Sequence, residues 1–73
     1  MSREEKERIE DAYRDIKENY GPVINRRELA ELLKMAPTSA DRWAARRGLA
    51  ARRVAAGQYA SRDVARALVL GCV

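Results

Sequence analysis

The chain has 73 residues, no phenylalanine and only Trp43, Tyr13, Tyr20 and Tyr59 as aromatics, which leaves room for one domain with a thin core. A net charge of +4 with no histidine and a single cysteine, Cys72, excludes a zinc site of the usual ligands and an intrachain disulfide framework. No window approaches the ~18 consecutive apolar residues of a membrane span, and MSREEKERIE lacks the apolar stretch of a secretory signal.

Ser2 and Glu5 have the spacing of a capping box, in which each side chain bonds the other residue's backbone N–H. Ile9, Ala12, Tyr13, Ile16 and Tyr20 follow at intervals of three and four, one apolar stripe on a helix. An acidic N-terminal helix is therefore expected over residues 2–20, ended by Gly21 and Pro22, with Glu4–Arg8 and Glu10–Arg14 as supporting pairs. Val23 and Ile24 read as a short, extended, buried step. Asn25 and Glu28 repeat the capping-box spacing and predict a second helix from Arg26 to about Lys34, with Leu29, Ala30, Leu32 and Leu33 inward.

After a break at Met35-Ala36, Pro37 suits the first position of a third helix ending at Arg47. The 3.6-residue period puts Ala40, Trp43, Ala44 and Arg47 on one side, with Trp43 as the core anchor. Thr38, Asp41, Arg42, Ala45 and Arg46 fall on the other, a polar face that a major groove could accept. Gly48 ends that helix. Leu49 to Val54 is expected to be extended, residues 55–58 to turn, and Tyr59-Ala60 to return as a hairpin. Ser61 is expected to cap a last helix from Arg62 to about Leu70, with Val64, Ala65 and Leu68 inward and Gly71 closing it.

Charge is divided along this order. Residues 1–20 carry seven acidic against five basic side chains, whereas residues 42–73 carry seven arginines against Asp63 alone. Arginine outnumbers lysine twelve to three, and the planar guanidinium fork suits phosphates and guanine edges better than an ammonium does. The four glycines are isolated, so no phosphate-cradling loop is present, and carboxylates adjoin only along a charged helix. These features predict a non-enzyme with no catalytic residues, metal or cofactor. Cys72, beside the C-terminus, reads as a spare surface thiol in a reducing, cytoplasmic compartment.

Glu28-Leu29-Ala30-Glu31-Leu32-Leu33, Arg46-Arg47-Gly48, Arg53-Val54 with Gly57, and Asp63-Val64-Ala65 occur in an order that resembles the excisionase and MerR-like small winged-helix DNA-binding proteins. The resemblance covers about 45 of the 73 residues. It departs at Ala36, where such proteins place a Ser or Thr cap, and in the longer acidic first helix. It implies one domain over residues 1–73: a mostly α winged helix-turn-helix with a long N-terminal helix, three shorter helices and one small β-hairpin wing. It implies DNA contacts from Thr38, Ser39, Arg42 and Arg46 on the recognition helix and from Arg52, Arg53, Gln58 and Arg62 in the wing and its flank. Alternation along an extended wing would aim only one of Arg52 and Arg53 at DNA.

The function so implied is that of an excisionase. Such a protein binds double-stranded DNA cooperatively with neighbouring copies, bends it, and directs a site-specific integrase toward excision of a phage or mobile element. The alternative is a small transcriptional regulator of a mobile element, dimerising through the Ile9/Tyr13/Ile16/Tyr20 stripe on an operator. A third class is a protein–protein adaptor or inhibitor that uses the acidic helix. None of these calls for a membrane.

Overall fold

The expected capping box opens helix α1, Arg3–Tyr20: the Glu5 amide donates to Ser2 Oγ at 3.2 Å and the Ser2 amide to Glu5 Oε1 at 3.1 Å. Gly21 ends it, with its N–H on Lys17 O at 2.8 Å. This computed structural model describes residues 2–71, so Cys72 lies outside the described residues. Ile9 and Ile16 are buried, and Ala12, Tyr13 and Tyr20 pack partly against the same core. The stripe is thus spent on the protein's own interior. The surface pairs differ from expectation. Neither Glu4–Arg8 nor Glu10–Arg14 closes; Arg14 lies 3.9 Å from Asp11, and Glu10 is taken by Arg62 from the far end of the chain.

Strand β1, Val23–Asn25, follows. Its pleat turns alternate side chains to opposite faces, so Ile24 is fully buried while Val23 is exposed, a correction to the reading of both as buried. Helix α2, Arg26–Leu33, begins at the predicted box, with the Glu28 amide on Asn25 Oδ1 at 2.8 Å and the Asn25 amide on Glu28 Oε1 at 3.0 Å. It ends in a Schellman motif: the Met35 amide reaches Ala30 O at 3.0 Å and the Lys34 amide Glu31 O at 3.2 Å. The left-handed residue in that motif is Lys34, at φ 56°, in a place that glycine normally fills.

Helix α3, Pro37–Arg46, starts from Ala36, whose side chain makes no cap. Ala40 and Ala44 are fully buried against α2, which small side chains permit at close range. Trp43 is a lesser anchor than expected. It is half-buried at the edge of the core, and the deep positions belong to Ile24, Leu29, Leu49 and Val64. Fully burying side chains of this size stabilises by about 1.5–3 kcal/mol each.

The expected extended arm from Leu49 to Val54 is absent. Gly48, at φ 80°, turns the chain into a 3-10 helix, Leu49–Arg52, which drives Leu49 into the core. Alanine is a poor strand former, and a buried leucine three residues after a helix is reached by coiling. Strand β2, Gln58–Ala60, therefore pairs not with its neighbour in sequence but with β1, antiparallel, in the register Val23↔Ala60, Ile24↔Tyr59 and Asn25↔Gln58. Of the hairpin only a tight turn remains: the Val54 amide donates to Gln58 O at 2.9 Å and the Gln58 amide to Ala55 O at 3.0 Å.

Helix α4, Ser61–Leu70, is entered from Ala60 without a side-chain cap. Ser61, expected as that cap, is fully buried, and its Oγ donates to Gly21 O at 2.7 Å, tying the start of α4 to the end of α1. Val64, Ala65 and Ala67 face inward, while Leu68 is 42% exposed, contrary to expectation. The reason is the docking of α4 on α1, which rotates the buried stripe toward position 67. The described residues are mostly helical, with four α-helices and one two-stranded antiparallel sheet among them. α1 and α4 form one layer, and α3 packs on α2 and the 3-10 helix. β1 touches α1 and α2, and β2 touches α4 and the 3-10 helix.

Candidate nucleic-acid interface

Three residues, Lys34 to Ala36, separate α2 from α3. Burial of Ala40 and Ala44 fixes the roll of α3, and Thr38, Ser39, Arg42, Ala45 and Arg46 are consequently all exposed. The four predicted recognition-helix residues therefore share the free side of one helix. Nothing bulky stands between them, since Ala45 is the intervening residue. Among the described residues no carboxylate lies within 4 Å of Arg42 or Arg46; the nearest in sequence, Asp41, is held by Arg26 Nε at 2.7 Å. A guanidinium without a partner on a helix face is available to an external acceptor.

The turn at residues 54–58 reaches the same region by a route the sequence pattern did not reveal. The Arg26 amide donates to Gly57 O at 2.9 Å, and Gly57, at φ 70°, sits against Arg26 Cβ. Arg26, Arg27, Pro37, Gly57 and Gln58 thereby line one open groove of about 450 Å³. Gln58 thus lines the same groove as Pro37, the first residue of α3. Arg26 and Arg27 were not among the predicted contacts. They stand at the first two positions of α2, and only the pairing of β2 with β1 places them beside the turn.

The two wing arginines separate. Arg52 lies 3.7 Å from Asp63 of α4, whereas Arg53 is exposed with no carboxylate within 4 Å among the described residues. Arg62 is engaged elsewhere: it hydrogen-bonds Glu10 and stacks over Tyr13, 4.3 Å from the ring centroid. That bond holds the Glu10 carboxyl below, and the Arg62 guanidinium above, its ordinary range. Arg62 is thereby a clasp between α4 and α1. The acidic α1 packs against α4, and among the described residues none of its carboxylates lies within 4 Å of Arg42 or Arg46.

Arg47 also departs from its helix neighbours. Its guanidinium lies over the Trp43 ring at 4.4 Å and donates to Trp43 O at 3.4 Å. Together with Met35, Ser39, Arg42 and Arg46, these two residues line a hollow of about 320 Å³. No helix here is long and apolar enough to cross a membrane, and no cluster of three potential metal ligands occurs among the described residues. No family model matches the chain, and no curated protein or solved structure matches it.

Proposed function

We propose that this is a small sequence-specific DNA-binding protein that lays α3 in the major groove as the second helix of a winged helix-turn-helix. The turn at residues 54–58 takes the place of the wing. The observation that carries this reading is the outward face of α3, where Thr38, Ser39, Arg42 and Arg46 stand exposed with no carboxylate on either arginine among the described residues. Short hydroxyls near the helix start suit phosphates, and Arg42 suits the acceptor edge of guanine. Arg46, Arg53, Arg27 and Gln58 extend the surface along the backbone, while Arg52 and Arg62 contribute through their pairs with Asp63 and Glu10.

Within that class we favour the excisionase role: cooperative binding of adjacent copies, bending of the site, and cooperation with an integrase in a cytoplasmic compartment. The support is the resemblance together with the small size. A dimeric operator binder built on the Ile9/Tyr13/Ile16/Tyr20 stripe is disfavoured, because Ile9 and Ile16 already lie in the monomer's core.

A gel-shift series at two salt concentrations, combined with a bending assay, tests the reading. Affinity for duplex DNA should fall steeply with salt. Arg42→Ala should cost about 1–3 kcal/mol of base discrimination, and Arg46→Ala should weaken all sequences alike with a salt slope smaller by about 1. A flat salt response would point instead to a protein partner. Binding at one isolated site without bending would refute the excisionase role while leaving DNA binding in place.

A further inference from the structure

Ser39, Arg42, Trp43, Arg46 and Arg47 stand at i, i+3, i+4, i+7 and i+8 and so form one stripe along α3. Their common hollow takes its polar lining from donors, three guanidinium groups and one hydroxyl, beside the apolar surfaces of Met35 and Trp43. Among the described residues no carboxylate lies within 4 Å of any of the three arginines. Like charges four apart on a helix repel, so the cluster is held together against its own field until an anion enters. Arg47 does not relieve this by swinging into solvent. It is half-buried, stacked on Trp43 at 4.4 Å and bonded back to Trp43 O.

We propose that this hollow seats a backbone phosphate of duplex DNA, with Arg47 as a donor beside Arg46, Arg42 being left to the guanine edge, and Trp43 as the positioning residue that holds Arg47 ready. The proposal rests on the DNA-binding reading and adds a contact to it. A phosphate fits better than a stacked base, because the guanidinium of Arg47 already covers the exposed ring face of Trp43. Stacking also lowers the ordering cost of the contact, since the side chain is oriented before the ligand arrives. The contact carries no base information; it fixes the register of α3 along the duplex.

Trp43 is the only tryptophan in the chain, so its emission reports on the hollow directly. The full chain is titrated with an unlabelled duplex while Trp43 emission is followed, and in parallel a labelled duplex is followed by anisotropy. The expected result is a change in Trp43 emission that saturates together with the anisotropy. Arg47→Gln should lower the salt slope by about 0.9, so that the loss of affinity between about 50 and 200 mM salt shrinks by about 3.5-fold. Arg47→Lys keeps the charge and should keep the slope, and Trp43→Phe should keep it where Trp43→Leu does not. Circular dichroism establishes that each variant is folded. Anisotropy showing binding while Trp43 emission and the Arg47→Gln slope stay unchanged would overturn the phosphate seat and spare the DNA-binding reading. Emission that responds to polyglutamate but not to duplex would also overturn it, and absence of duplex binding would overturn both.

Discussion

Ser61 offers a sharp test of how the fold is held, because two physical roles for the same residue predict opposite outcomes. As a helix cap it would tolerate aspartate, since Ser and Asp cap about equally well. In the structure it is instead a fully buried donor, 2.7 Å from Gly21 O, joining segments forty residues apart. Ser61→Ala removes that bond and leaves a carbonyl without its partner, a loss of about 1–2 kcal/mol. For a chain of this length total stability is on the order of 4–11 kcal/mol, so the melting temperature should drop by roughly 5–15 °C. Ser61→Asp cannot donate when ionised and places a charge in an apolar site, at a cost above about 3 kcal/mol. Urea unfolding followed by circular dichroism measures both. A Ser61→Asp protein as stable as wild type, or a Ser61→Ala change below about 0.3 kcal/mol, would refute the tertiary role.

Lys34→Gly should stabilise by about 0.5–1 kcal/mol in the same assay, because relief of the left-handed strain exceeds the extra entropy of an unfolded glycine. Ala36→Ser should add about 1 kcal/mol by supplying the missing cap of α3, where the backbone already has the extended geometry a cap needs. Glu5 and Glu10 are held below the ordinary glutamate range, Glu5 first by the Ser2 amide and Glu10 first by Arg62. Their contribution is therefore complete above the unfolded value of about 4.3 and is lost as pH falls through the lowered folded values. Denaturant midpoints of Glu5→Gln and Glu10→Gln should converge on wild type as acid is added below that value; a gap that persists or widens would contradict the linkage.

Both capping boxes, the extents of α1 and α2, the proline start of α3 and its uncapped Ala36 were all legible in the sequence. They depend on residues three or four apart, so local spacing suffices to specify them. The outward positions of Thr38, Arg42 and Arg46 were legible for the same reason, since two small buried residues, Ala40 and Ala44, set the helical phase, whereas the period alone did not place Ser39 on that face. The partner of β2 was not. A hairpin is the nearest pairing in sequence, yet the need to bury Leu49 coils the chain and leaves β2 to pair with β1. From that exchange follow the placement of Arg26 and Arg27 beside Gln58 and the diversion of Arg52 to Asp63. The fates of Ser61, Arg62 and Leu68 likewise depend on α4 docking against α1. Helical phase and caps are local properties, written in the chain at short range; which cation remains unpaired is a property of which elements meet, and packing alone settles that.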